Sequence, residues 1–216
     1  SITIPDGVTS IRYYAFSGCT NTTRVTLPVS VETIGQQAFK GCVGELCINS
    51  RIIETDYTAS TSMQNTAHWL YGHGFTKVVI GNNVTQIGGG AFDRSTTLKS
   101  VEIGSGVTWI GGAAFYKCTS LENLVIPDNV KKLSYQVVEG CTSLKSVVIG
   151  SGVTQMYQKV FNDCTALGEI YCKSTTPPSL SNVNVFDNIP SDCKIYVPTK
   201  SVNAYKSAKI WSNYKS

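Results

Sequence analysis

The chain has few of the residues that catalytic and metal-binding sites are built from. Its only histidines are His68 and His73, five residues apart, a spacing that matches no common zinc site. No Cys-x-x-Cys pair occurs anywhere among the eight cysteines. A Gly-rich phosphate loop is missing too. Gly88, Gly89 and Gly90 fall on a corner of the chain, where glycine serves backbone geometry. No apolar run approaches the roughly 20 residues of a membrane helix, and no signal peptide opens the chain. A Cys47 nucleophile served by a histidine would lack the third group that orients the base, and no acid/base pair stands out. These absences argue against an enzyme, a metal site, a cofactor and membrane insertion.

Charge is also scarce, at 15% of 216 residues. The net +4 is unevenly placed: residues 194–216 hold five lysines and no acid, which leaves 13 basic and 14 acidic residues in 1–193. The basic balance therefore belongs to the C-terminal end alone. It reads as the solvated face of one segment and not as a nucleic-acid surface. The apolar share of 42%, with 19 glycines spread along the chain, belongs to a folded domain.

What is present is a repeat. Val, then Ile three residues later, then Phe five after that recurs at Val8/Ile11/Phe16, Val31/Ile34/Phe39, Val84/Ile87/Phe92 and Val107/Ile110/Phe115. Looser copies follow at Val130/Leu133/Val138 and Val153/Met156/Phe161. The starts at 84, 107, 130 and 153 lie 23 residues apart, as do those at 8 and 31. Ala precedes the Phe in the clearest copies, and Cys19, Cys42, Cys118, Cys141 and Cys164 come three after the Phe slot. Leu98, Leu121, Leu144 and Leu167 then lead into alternating runs such as Ser100 to Ile103. Such a unit is too short to close a core alone, and stacking its copies buries the apolar slots as continuous ladders. The alternating runs pair into a parallel sheet, and the Ala-Phe segment forms a short helical or irregular turn on the other side.

About eight units fit the chain, irregular at 43–75 and 174–193. A hidden unit begins near Thr61, with Trp69 in its Phe slot, His68 in its Ala slot and Phe75 in its Leu slot. The polar stretch 55–62 lacks ladder residues, so this unit is expected to be the weakest and most readily cleaved. After Pro198, Thr199 can cap a helix carrying Val202, Tyr205, Ala208 and Trp211 on one face. The domain reading is a solenoid over 1–198 closed by a capping helix over 199–216. Ser1 to Pro5 matches the strand half of a unit, so the chain reads as beginning in mid-repeat, with an export signal expected upstream.

The segment from Val107 to Leu121, with Ile110, Ala114, Phe115 and Cys118 in their slots, resembles the BspA-like, treponemal-type leucine-rich repeat. Asp192 to Lys206 is similar to a C-terminal end found in that family. Gly44 to Ile48, followed by Phe75 to Val78, resembles an irregular module of the same kind. The resemblance implies a leucine-rich-repeat horseshoe or open arc on the bacterial cell surface or outside the cell, binding host or neighbouring-cell proteins. It supplies no catalytic residues.

Five cysteines sharing one inward slot read as reduced core residues, since parallel rungs present poor disulfide geometry. Cys172 joins them, and Cys47 and Cys193 are left as the only candidates for reactivity. The remaining functional signal is the outward row of the strands. One position per rung gives Thr26, Cys47, Val79, Glu102, Val125, Val148 and Tyr171, flanked by Arg24, Lys77, Ser100, Asn123, Ser146 and Glu169. Thr26, Lys77, Val79, Glu102, Val125, Val148 and Tyr171, with an outward Trp109, form the candidate partner-binding face. Plain β-propensity on a solvated sheet accounts for the same residues equally well. The favoured partner is a protein bound by a monomer. A glycan stacked on Tyr13, Tyr14, Trp109 or Tyr116, or a spacer role, are the alternatives.

Overall fold

The structure, a computed structural model, describes residues 1–53, 70 and 73–214. The expectations for Trp69, His68 and the 55–65 segment lie outside the described residues. The fold is a parallel β-solenoid of about eight turns with little helix.

One wall is a nine-stranded parallel sheet of β1 (Ile2–Thr3), β3 (Arg24–Leu27), β5 (Val43–Ile48), β6 (Gly74–Ile80), β8 (Ser100–Ile103), β10 (Asn123–Ile126), β12 (Ser146–Ile149), β14 (Glu169–Cys172) and β16 (Lys194–Tyr196). Alternation along each strand sends one set of side chains inward. Val25, Leu46, Val78, Val101, Leu124, Val147 and Ile170 line up as one buried ladder.

A second wall, which the sequence reading did not separate from the turns, is built from two-residue strands. β7 (Gln86–Ile87), β9 (Trp109–Ile110), β11 (Lys132–Leu133), β13 (Gln155–Met156) and β15 (Ser179–Leu180) form one parallel sheet, and β2 (Ser10–Ile11) pairs with β4 (Thr33–Ile34) in another. The Val-x-x-Ile spacing produces it, because the Ile or its equivalent is the inward member of each short strand. Glycine marks the corners between the walls where rungs approach closely. A Cβ on Gly152 would collide with the Asp128 carbonyl oxygen, and one on Gly106 with that of Asn82.

The Ala-Phe segment takes the irregular form and not the helical one. Its alternate N–H groups point along the solenoid axis into the next rung. Phe92 donates to the Ala114 carbonyl (2.8 Å), Arg94 to Tyr116 (2.7 Å) and Phe115 to Val137 (2.8 Å). Left-handed residues make this possible. One such slot holds Gly18, Gly41 and Gly140 in three rungs but Arg94, Lys117 and Asp163 in others. The axial bond forms in either case: Lys117 N–H reaches Glu139 and Gly140 N–H reaches Asn162. Inside this turn Phe92 stacks on Phe115 (5.3 Å, 3°) and Phe161 on Phe186 (5.5 Å, 2°). All eight cysteines are unbridged. The Cys42, Cys118, Cys141 and Cys164 thiols donate to the carbonyl of the Phe slot one rung earlier at 3.1–3.2 Å, which satisfies the only polar atom each brings into the core.

The C-terminal closure is more broken than a single capping helix. The α-helix α1 runs only from Val202 to Ser207, and Ala208 leaves the helical region (φ −70°, ψ 141°) before a short 3-10 turn at Trp211–Tyr214. The side-chain cap expected from Thr199 is not made; Pro198 stands at the start of the preceding 3-10 turn. Anchoring comes from aromatic side chains instead. Trp211 Nε1 donates to the Pro178 carbonyl (2.7 Å), Tyr205 OH to Ser174 (3.0 Å), and Trp211 and Tyr214 pack on Phe186. No described helix is long and apolar enough to cross a membrane.

Candidate binding face

The register of the nine-stranded sheet brings most of the expected face into one row. Thr26 lies opposite Cys47, Cys47 opposite Val79, and Val79 opposite Glu102. Ser100 pairs with Asn123, and beyond it Val125 lies opposite Val148, Val148 opposite Tyr171, and Tyr171 opposite Tyr196. Lys77 sits two residues before Val79, between Glu45 and Ser100.

The two halves of this row differ in chemistry. Towards β3 it is ionic: Lys77 Nζ meets Glu102 Oε1 at 2.7 Å, and Arg24 meets Glu45 at 3.8 Å. Exposed pairs of this kind contribute under about 1 kcal/mol each. Towards β16 it is apolar and aromatic, with Val125 51%, Tyr171 37% and Tyr196 40% exposed. The Tyr171 and Tyr196 rings stack nearly parallel, 4.7 Å apart at 11°, and Tyr171 OH donates to Glu169 (2.9 Å). Held in this way, Tyr171 loses little side-chain freedom when a partner covers it. Tyr196 was missed by sequence reasoning although its signal was present, because Ile195 inward on the last strand places Tyr196 outward.

Trp109 does not belong to this face. It lies on β9 in the second wall, half-buried between Gln86 and Lys132, because the corner at Gly104 to Gly106 turns the chain before it. The tyrosines considered for glycan stacking are dispersed as well. Tyr13 and Tyr14 are exposed several rungs from Tyr116, whose ring already carries Arg94 (5.8 Å) and Lys117 (5.1 Å).

Neither candidate cysteine has the surroundings of an activated thiol. Cys47 keeps its outward register yet is only 5% exposed, and its thiol donates to Glu45 Oε1 (3.3 Å). Burial, then the hydrogen bond to Glu45, pushes its pKa up. Cys193 is pushed to about 11 by burial, with Asp192 and Glu169 adding to it. Both stay protonated thiols at neutral pH, and a thiol is the weak form of the nucleophile. His73 is likewise engaged, its Nδ1 accepting the Phe75 N–H (3.1 Å) and its Nε2 facing Ser95 Oγ (2.9 Å). No cluster of three or more His, Cys, Asp or Glu residues arranged to hold a metal occurs among the described residues.

Stacked 23-residue turns with a continuous parallel sheet and inward Leu, Ile, Val and Phe ladders define a leucine-rich-repeat solenoid. The chain belongs to the BspA type leucine rich repeat family, whose profile matches residues 1–66 and 61–191 in six copies. Solved structures agree. A Treponema pallidum leucine rich repeat protein, TpLRR, is 24% identical at a TM-score of 0.52, over 88% of this chain and 78% of that one. A leucine rich cell surface protein of Faecalibacterium prausnitzii is 25% identical with a TM-score of 0.54, over 100% of this chain and 62% of its own. The pneumococcal vaccine antigen PcpA is 22% identical with a TM-score of 0.54, over 91% of this chain and 56% of its own. The chain thus spans less than two thirds of the last two. No curated protein matches it.

Proposed function

We propose that the chain is an extracellular or cell-surface recognition module, not an enzyme, that binds a protein of a host or neighbouring cell through the outward face of its nine-stranded sheet. The observation that carries this reading is the concentration of exposed apolar side chains on adjacent strands. Exposed Val125, Tyr171 and Tyr196, with half-buried Val148 between Val125 and Tyr171, form an uninterrupted stripe across β10, β12, β14 and β16. A solvated sheet needs no such stripe, and contiguous apolar surface with pinned aromatics is what protein interfaces are centred on. The surface placement draws support from the Faecalibacterium relative, which is described as a cell surface protein.

The test is a screen of the purified chain against immobilised extracellular-matrix proteins and glycans, repeated with Val125→Lys and Val148→Lys. Both side chains point away from the core, so thermal midpoints should hold within a few degrees. A protein partner should lose at least tenfold in affinity to each variant. Undiminished binding by both would move the site to another surface. Binding confined to glycans would replace the reading.

A further inference from the structure

The nine-stranded sheet stops at β16 with its outer edge unpaired. Lys194 N–H donates inward to the Gly168 carbonyl (2.8 Å). Successive backbone groups alternate in direction along a strand, so the N–H and C=O of Ile195 and the N–H of Val197 turn away from the sheet. Among the described residues no bond from the cap or any loop reaches them. Beside this edge the C-terminal closure leaves a cleft of about 290 Å³, lined by Ile195, Val197, Val202, Lys206, Trp211 and Tyr214.

Lysines dominate the charge around the edge, although Asp192 stands two residues before Lys194 and Asp187 lies on the Tyr214 side of the cleft. Lys194, Lys200, Lys206 and Lys209 are exposed, and none is in an ion pair among the described residues. Residues 194–216 contain no acid. Glu169, opposite Lys194, is turned to the Tyr171 hydroxyl instead. An unpaired strand edge with an apolar cleft and free ammonium groups matches strand addition, in which main-chain bonds give affinity and alternate side chains give specificity.

We propose that β16 accepts an extended acidic segment of a partner protein as a tenth strand of the sheet. The register fixes its sequence character. The residue opposite Lys194 points outward and is acidic. The one opposite Ile195 points into the cleft and is apolar. The one opposite Tyr196 points outward and is aromatic, extending the Tyr171–Tyr196 stack. This edge meets the sheet face at Tyr196, but the proposal rests on the unpaired backbone and the cleft and does not depend on what that face binds.

The probe is a short synthetic peptide carrying glutamate, isoleucine and tyrosine in that order, flanked by further glutamates, titrated into the whole chain by calorimetry. Binding should appear and should fall at least tenfold with a copy N-methylated on alternate backbone amides, which leaves charge and side chains intact but removes strand pairing. Lys206→Glu with Lys209→Glu, two exposed unpaired positions, should weaken it by a similar factor, whereas Val125→Lys should leave it unchanged. No binding, or equal binding by the N-methylated copy, overturns the proposal. So does an oligonucleotide of equal charge that binds in the peptide's place, since it would make the edge a general polyanion site.

Discussion

From Val84 to Cys172 the solenoid keeps a constant 23-residue spacing; from Val43 to Ile80 it does not, yet the same sheet runs through both. In the regular stretch the long-wall strands are four residues each, while β5 and β6 are six and seven and pair across a register shift between Gly44 and Glu45. The second wall behaves in the opposite way. It is continuous from β7 to β15 but separate from the β2–β4 pair before the irregular stretch. The cysteine ladder is exchanged where the regular stretch meets the irregular one. Ser95 holds the slot that is Cys118, Cys141 and Cys164 in the following rungs, and its hydroxyl faces His73, whereas those thiols donate to a carbonyl. The long sheet is therefore the invariant of this fold, and the ladders are parts that can be replaced where polar atoms stay paired.

If the irregular stretch is as firmly built as the regular one, equal truncations should cost the same in each. Phe115 and Phe75 are both fully buried. Phe115→Ala should lose about 3–5 kcal/mol in guanidinium unfolding, the usual range for a buried phenylalanine. Phe75→Ala should match it within about 1 kcal/mol. A cost below about 1 kcal/mol at Phe75, or two separated unfolding transitions, would show that the 43–80 rungs melt apart from the rest.

The regular stretch was legible in the sequence because each slot there has one physical duty. Val107, Ile110, Phe115 and Cys118 recur since each faces the same neighbour one rung away. The long wall and its inward ladder followed from alternation alone. The second wall was not legible as a sheet, because two-residue strands such as Trp109–Ile110 are too short to show alternation, which leaves the outward slot of Trp109 indistinguishable from the long-wall row. The closure was legible only in outline: the apolar spacing of Tyr205 and Trp211 was visible, but not the break at Ala208. Cys47 was read correctly as an outward register position. Its thiol interacts with Glu45 and Arg24, contacts that spacing does not reveal.

A pH titration sharpens the comparison, because the irregular stretch holds a largely buried imidazole and the regular rungs hold none. Burial lowers the His73 pKa to about 4 from the usual 6.5. The unfolded chain therefore binds a proton between those values that the folded chain does not. Stability is complete above about pH 6.5 and falls as the pH drops towards 4. The loss should reach up to about 3 kcal/mol, because each tenfold difference in proton affinity between the folded and unfolded chain is worth about 1.4 kcal/mol. Urea unfolding of the parent chain and His73→Gln between pH 7.5 and 4.5 isolates it from the carboxylates. Parallel curves for the two proteins would mean the imidazole is solvated in the folded state.

The smallest effect tests whether the cysteine slot and Ser95 are truly matched to their partners. Cys141 is fully buried, and its thiol donates to the Phe115 carbonyl at 3.1 Å among apolar neighbours. Cys141→Ser keeps a donor there but exchanges a weakly polar sulfur for a hydroxyl with a second, unfilled lone pair. It should cost about 1–2 kcal/mol. In the reverse exchange, Ser95→Cys, the thiol gains in burial but accepts the His73 N–H less well, since His73 Nδ1 is committed to Phe75 and only Nε2 can donate. These two contributions oppose each other, so the net change should stay within about 1 kcal/mol. Combining Ser95→Cys with His73→Phe removes the unsatisfied donor and should recover stability relative to His73→Phe alone. Equal losses for Cys141→Ser and Ser95→Cys would mean that the slot favours small side chains of either kind, and that the Ser95–His73 pair does not explain the missing cysteine.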